Sequence, residues 1–310
     1  MQIAIIDLGT NTFNLLIANV NKDNNYTILL ETKYPAKIGK GGINNKTITP
    51  EAFERGFTAL QTHLDTINEY RVESIHCFAT SAIRSADNGE EFVSAVKEKF
   101  NLDIKVIQGS KEAELIYDGV KQVVPIGKEK VLIMDIGGGS TEFIIANRDG
   151  IVWKHSFDLG AARMLDQVQP SEPIKESEVK HVKEIIAENL GLLFDELKKH
   201  EICKLIGSSG SFDTIAAMIA AVEHPYLDMS KLTSYQINKE HFEHLHAKYL
   251  NSNIQERLKM KRMDPHRVEM IVLATIFIKF MVEHLRLNEL YQCNYALKEG
   301  AIYQILNHKL

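Results

Sequence analysis

Seven prolines, one tryptophan and three cysteines are all that the 310 residues hold of these types. The cysteines, Cys77, Cys203 and Cys293, are odd in number, far apart and set in apolar segments. That pattern excludes a disulfide framework and a clustered thiolate metal site, and fits reduced, buried thiols. Twelve histidines are present without an HExxH or other ligand spacing, so none is assigned a metal. Met1-Gln2-Ile3 runs straight into an apolar strand with no basic lead-in, the opposite of a secretory signal. The longest apolar run, Met270 to Val282, is interrupted by Lys279 and is too short to span a bilayer. A formal net charge of −5 gives no basic surplus for a general nucleic-acid or membrane-surface binder. The expectation is a soluble cytoplasmic protein with neither nucleic acid nor membrane as partner. A local cluster could still bind an anion.

What is present is ordinary globular material, 45% hydrophobic and 25% charged. The length exceeds what one core usually serves, which predicts two domains. A repeat agrees. Ile3 to Asn19, containing Asp7-Leu8-Gly9-Thr10-Asn11, lies without a gap on Val131 to Asn147, containing Asp135-Ile136-Gly137-Gly138-Gly139-Ser140-Thr141-Glu142, at a shift of 128 positions. Ile5/Ile133, Asp7/Asp135, Gly9/Gly137 and Ile17-Ala18-Asn19/Ile145-Ala146-Asn147 are identical. Each copy reads as a strand, an acidic residue, a glycine turn and a second strand, followed by a polar turn (21–25; 148–150) and a third strand. Glycines let backbone N–H groups close on an anion, and the aspartate beside them can hold a divalent cation. Two similar α/β domains are predicted, 1–125 and 126–310, divided at Val124-Pro125-Ile126-Gly127.

Between the copies, Thr49-Pro50 starts a helix with Phe53, Phe57, Leu60, Leu64 and Ile67 on one face. Strands are predicted at 74–80 and 104–107, with a helix around 92–100 between them. The second half brings one long amphipathic helix from Val179 to Leu197, a strand at 203–206, the loop Gly207-Ser208-Ser209-Gly210-Ser211 and a helix from Phe212. That loop is either a third anion site at a helix N-terminus or a plain connector. A buried helix from Asp264-Pro265 to about His284, a strand at 290–293 and a closing helix at 298–306 complete the chain.

Three features could carry chemistry. The helix opening at Gly109, with Ser110 as its cap, places Glu112 on the side of Ile116, Gly119, Val120 and Val123, so Glu112 points inward and Glu114 outward. An inward carboxylate at a helix start is either there for the dipole or functional, and near phosphates its pKa would rise towards that of a useful base. Arg84 follows a strand end, where it either grips phosphate oxygens or is a surface arginine. Lys33, Lys37, Lys40 and Lys46, and separately Arg257, Lys259, Lys261, Arg262 and Arg267, read as solvated basic faces.

Taken together, Asp7 to Phe13, Thr80 to Arg84, Gly109 to Val120, Asp135 to Glu142, Gly207 to Ser211 and Leu297-Lys298-Glu299-Gly300 resemble the exopolyphosphatase / guanosine pentaphosphate phosphohydrolase family, of the actin-like ATPase superfamily. The resemblance implies two ribonuclease-H-like domains with mixed sheets facing a cleft, the closing helix (about 298–310) packing back on the first. It implies Mg²⁺-dependent hydrolysis of terminal phosphoanhydrides, with inorganic polyphosphate or guanosine pentaphosphate as substrate and Glu112 as base. Asp135, Glu142 and Asp7 would hold Mg²⁺. Thr10, Asn11, Arg84, Gly137, Gly138, Gly139, Ser140 and Gly207, Ser208, Ser209, Gly210, Ser211 would bind phosphate. A homodimer is among the assemblies it allows. Two departures qualify it: Lys111 stands where the family often has a second acid, and the chain resembles the short, two-domain members, so long-chain processivity is not expected. An ATP-dependent phosphotransferase and a non-catalytic alarmone or phosphate sensor are the alternatives from other classes.

Overall fold

The structure, a computed structural model, describes residues 1–21, 23 and 25–310. Of the polar turn expected at 21–25, Lys22 and Asn24 lie outside the described residues. The first half runs β1 (Gln2–Leu8), β2 (Phe13–Val20), β3 (Tyr26–Tyr34), α1 (Pro50–Glu69), β4 (Ser74–Ala79), α2 (Ser81–Ser85), α3 (Gly89–Phe100), β5 (Ile104–Val106) and α4 (Gly109–Val120). The second runs β6 (Lys130–Ile136), β7 (Thr141–Asn147), β8 (Gly150–Phe157), α5 (Ala161–Val168), α6 (Glu176–Asn189), α7 (Gly191–Leu197), β9 (Ile202–Ser208) and α8 (Gly210–Glu223). It continues through β10 (Ser234–Gln236), α9 (Lys239–Leu250), α10 (Ile254–Leu258), α11 (Ile271–Leu285), β11 (Leu290–Cys293) and α12 (Leu297–Leu306).

Five strands form the first sheet in the order β3-β2-β1-β4-β5, and six the second in the order β10-β11-β9-β6-β7-β8. In each, two antiparallel pairings from a hairpin meander meet a parallel one: β1 beside β4, β6 beside β9. Each half thus holds one mixed sheet built on the same hairpin meander, as the repeat implied. The register confirms the repeat at atomic detail. Asp7 faces Asn14 across the first hairpin, and Asp135 faces Glu142, 128 positions on, across the second. Each third strand carries a β-bulge at the same place, opposite Ile17/Ala18 and Ile145/Ala146. The extra residues, Leu29 and Val152, are 41% and 43% exposed.

The central strands read as continuous apolar runs because both of their faces are covered. Ala4, Ile6 and Leu8 point to α1 and α3, through Leu60, Ile67, Phe92 and Val96. Ile3 and Ile5 point the other way, into a core shared with Ile116 and Val120 of α4, Ile302 of α12, and Val131 and Ile133 of the second sheet. Leu132, Met134 and Ile136 turn to α6, α8 and α11. The molecule is thus five layers deep, with the α4–α12 pair between two sheets.

Several predicted boundaries move. The helix expected as one from Val179 to Leu197 is two, because the backbone at Leu190 leaves helical geometry (φ −99°, ψ 17°) ahead of Gly191. The buried helix starts at Ile271; Asp264-Pro265 belongs to the turns before it. At α4, Ser110 lies inside the first turn, and Gln108 is the residue that precedes the helix. Thr49 does cap α1, accepting from the Ala52 N–H at 3.3 Å.

The α4–α12 crossing depends on two glycines. A Cβ on Gly300 would stand 1.8 Å from the Leu115 carbonyl oxygen, and one on Gly119 2.1 Å from that of Ala296. Backbone sits on both sides, so nothing can yield cheaply. Gly300→Ala is expected to cost about 3 kcal/mol, read as a lowered thermal midpoint against a control at exposed Gly127, where nothing lies within 4 Å of an added Cβ.

Candidate active site

Both hairpin turns, the N-terminus of α4 and the start of α8 converge on one cleft of about 370 Å³. Its walls include Asp7, Thr10, Asn11, Glu112, Asp135, Gly137 to Ser140, Ser209 and Gly210. The two turns touch. A Cβ on Gly139 would lie 2.6 Å from Ser81 Oγ and 2.7 Å from Thr10 Oγ1, so only glycine fits there.

Each turn is held from behind by the segment that follows its third strand. In the first half the Gly39 N–H donates to the Thr10 carbonyl at 3.1 Å and the Lys37 N–H to that of Asn11 at 2.8 Å. In the second, the Ala161 N–H donates to Gly137 at 2.9 Å, and the Ala162 and Arg163 N–H groups to Gly138 at 2.8 and 3.0 Å. The carbonyl and the following N–H of a trans peptide point in opposite directions. With the carbonyls drawn backwards, the next N–H groups face away from these anchors, as an anion-binding loop requires. Among the described residues, Thr10 Oγ1, Asn11 Nδ2, Ser81 Oγ and Asp7 Oδ1 are buried without a partner. Such groups are costly unless a ligand meets them.

Glu112 is 8% exposed, on the first turn of α4. Arg84 Nη1 donates to its Oε2 at 2.8 Å and to the Ile107 carbonyl at 3.1 Å. Burial, then the charge of Glu142, push the Glu112 carboxyl well above the ordinary range, against the pull of Arg84. Gly109 allows this closeness, since a Cβ there would stand 2.4 Å from Ser156 Cβ. Glu142 is buried behind the loop and takes hydroxyl bonds on Oε1 from Ser140 at 2.7 Å and Ser156 at 2.6 Å. Its pKa is raised by burial and held back by those hydroxyls. Asp135 is pushed up to about 7 by burial and by Glu142. Asp7 goes up to about 6 through burial, opposed by Lys298 and by an Asn14 amide bond at 2.9 Å. Among the described residues no three acidic, histidine or cysteine side chains gather tightly enough to hold a metal alone.

The predicted residues therefore do not all reach the cleft. Arg84 acts on it through Glu112, and Glu142 through Ser140 and Ser156. Of the third loop only Ser209 and Gly210 line it. Gly207 packs against Phe212, a Cβ there falling 2.0 Å from the ring; Ser208 Oγ donates to the Tyr295 carbonyl at 3.4 Å, and Ser211 is buried. Ser209 holds a positive φ of 81° and donates from Oγ to the Ile136 carbonyl at 2.8 Å, pinning the loop to β6. Lys111 turns to Gln304 at 2.6 Å, and Glu114 pairs with Lys154 instead of standing free.

Other wall residues were read as solvated or not read at all. Arg267 lies over Gly210 beside Asp213, whose pKa burial raises to about 6. Lys33 pairs with Asp264 across the mouth at 2.5 Å, and Lys298 with Glu31 at 3.0 Å. Arg257 is no surface cation: it is 1% exposed and grips Glu172 with 2.6 and 2.7 Å contacts. No helix is long and apolar enough to cross a membrane among the described residues.

A model of the Ppx/GppA phosphatase family matches residues 16–309. The chain belongs to the Ppx/GppA phosphatase family. By that membership it is a phosphoanhydride hydrolase on an actin-like fold. It superposes on an exopolyphosphatase from Cytophaga hutchinsonii with a TM-score of 0.96 at 35% identity, covering 99% of this chain and 98% of that one. The Aquifex aeolicus PPX-GPPA enzyme shares the fold, with a TM-score of 0.77 at 24% identity over 98% and 99% of the two chains. A bifunctional 3-dehydroquinate synthase/phosphatase of Fusobacterium nucleatum is 32% identical over 298 residues, 91% of this chain. The chain spans about 43% of that relative's length.

The raised carboxyls give a sign to the pH dependence of stability. Asp7, Asp135 and Asp213 have folded pKa values of about 6, 7 and 6 against an ordinary 3.8, so the fold favours their protonated forms. Their contribution is full below about pH 4 and is lost as pH rises through 6 to 7, roughly 3–4 kcal/mol per group. In chelator, the thermal midpoint is expected to fall between pH 5 and pH 8, and Asp135→Asn to flatten that fall.

Proposed function

We propose that the protein is an exopolyphosphatase that hydrolyses the terminal phosphoanhydride of inorganic polyphosphate, with Glu112 as general base and a divalent cation, Mg²⁺, as cofactor. The observation that carries this reading is Glu112 itself: a buried carboxylate at a helix start, open to a cleft between two glycine turns and bonded to Arg84. Burial raises its proton affinity well above the ordinary carboxylate range, which strengthens it as a base. The names of the relatives point the same way, and the cytoplasm is the compartment that suits this substrate.

In the reaction a water oxygen attacks the terminal phosphorus, the bridging P–O bond breaks, and Glu112 takes the water's proton. Thr10, Asn11 and the N–H groups of the Gly137 to Ser140 turn hold the terminal phosphoryl oxygens. Arg84 keeps Glu112 oriented and supplies positive charge beside it. The cation would be held by Asp7 and Asp135, the two cleft-lining carboxylates whose burial and mutual crowding it would relieve, together with substrate oxygens. That is the way Mg²⁺ is usually bound, through one or two carboxylates, and it suits a site without a closed protein cage. Glu142, expected among the ligands, is better placed to fix Ser140 and to raise the Glu112 pKa. The cation supplies charge neutralisation to the phosphates.

Guanosine pentaphosphate carries the same terminal bond and is the second substrate to assay. In Glu112→Gln, phosphate release from tripolyphosphate is expected to fall by about 10²–10⁴-fold, with substrate binding kept. In the wild type, kcat/KM should climb with pH along an acidic limb set above the ordinary carboxylate range. Unchanged release by the variant would remove Glu112 from the chemistry. Binding without turnover by the wild type would favour a sensor, and labelled phosphate passing from ATP to an acceptor a kinase.

A further inference from the structure

Arg163 stands on the first turn of α5, outside the cleft and unclaimed by the chemistry above. Its side chain is 14% exposed, and its carboxylate partner, Asp158, is 3.8 Å away and 72% exposed. So loose and solvated a pair contributes little. What holds the guanidinium is backbone: Nε donates to the Gly139 carbonyl at 2.9 Å, and Nη1 to the Ile43 carbonyl at 3.2 Å. Gly139 belongs to the second glycine turn. Ile43 belongs to the short 3-10 turn Ile43–Asn45 of the first half. One side chain therefore joins the two halves at the cleft.

The Gly139 carbonyl completes a series. The helix N–H groups draw back the carbonyls of Gly137 and Gly138, while that of Gly139 is held by Arg163 alone among the described groups. The Ser140 N–H belongs to the same peptide plane and points opposite to the Gly139 carbonyl. Its direction is set by the guanidinium. The Ile43 side chain seals the same spot, lying 3.0 Å from where a Cβ on Gly139 would be. Asn44 returns the clasp, donating to the Arg163 carbonyl at 3.3 Å and to Asp166 at 2.8 Å.

We propose that Arg163 is a positioning residue for phosphoryl hydrolysis: by clamping the Gly139 and Ile43 carbonyls together, it aims the Ser140 N–H into the cleft. The clamp needs two donors at fixed separation, which a guanidinium has and an ammonium lacks. A donor misaimed at the transition state costs rate more than ground-state affinity.

This rests on the hydrolase reading above, and the test separates the two. Tripolyphosphate hydrolysis is measured for the wild type, Arg163→Lys and Arg163→Met below their thermal midpoints, with hydrogen exchange of segments 39–45 and 137–140 in the same samples. Both variants are expected to lose about 10–100-fold in kcat with KM little changed, and to exchange faster in both segments. A lysine variant with wild-type kcat, a loss carried by KM, or unchanged exchange would each overturn the clamp. A wild type that releases no phosphate would defeat the functional reading, while the exchange comparison would still decide whether Arg163 joins the halves.

Discussion

Three carboxylates, Asp7, Glu112 and Asp135, line the cleft, and a fourth, Glu142, is buried just behind it, with few cations to answer them. Water is excluded and like charges crowd, so each is held in a state it would not choose in solution. Arg84 answers Glu112, Asn14 and Lys298 answer Asp7, and two serine hydroxyls answer Glu142. Burial and Glu142 push Asp135 up to about 7, with the Ser208 hydroxyl pulling the other way. The packed layers on either side of the cleft over-determine these positions and offset their cost.

One helix pair joins the two halves. Helices α4 and α12 lie between the sheets and share apolar contacts with both, so the halves meet over a packed interior as well as across a cleft. Gly119 and Gly300 bring their backbones close, and Gly109 seats the start of α4 against β8. The helix that carries Glu112 is therefore located by close contact with α12 along its length and with Ser156 of β8 at its start.

How much of this the sequence discloses depends on how far apart the determining groups are. Glu112 could be placed from helical phase alone, since its partners Ile116, Gly119 and Val120 lie on the same helix. The glycine turns were legible because the repeat sets Asp7 over Asp135, and the structure pairs them with Asn14 and Glu142 at the same offset. Arg257 and Arg267 looked like members of a solvated run, because the carboxylates beside them, Glu172 and Asp213, are remote in sequence. Arg163 was invisible for another reason: its partners are carbonyl oxygens 24 and 120 positions away, which no residue type announces. The break at Leu190 and the late start of α11 were lost because apolar periodicity runs smoothly through both.

The paired bulges opposite Ile17 and Ile145 have a meaning beyond ancestry. Strands β3 and β8 are the outer strands of their sheets, the positions at which a sheet can recruit an extended peptide. A bulge twists such an edge and breaks its regular hydrogen-bond spacing. Both halves keep this irregularity where their sequences have otherwise drifted apart, and each gives up an apolar side chain, Leu29 or Val152, to solvent for it. The duplicated unit thus carries its own guard against strand-by-strand polymerisation, one at each flank of the molecule.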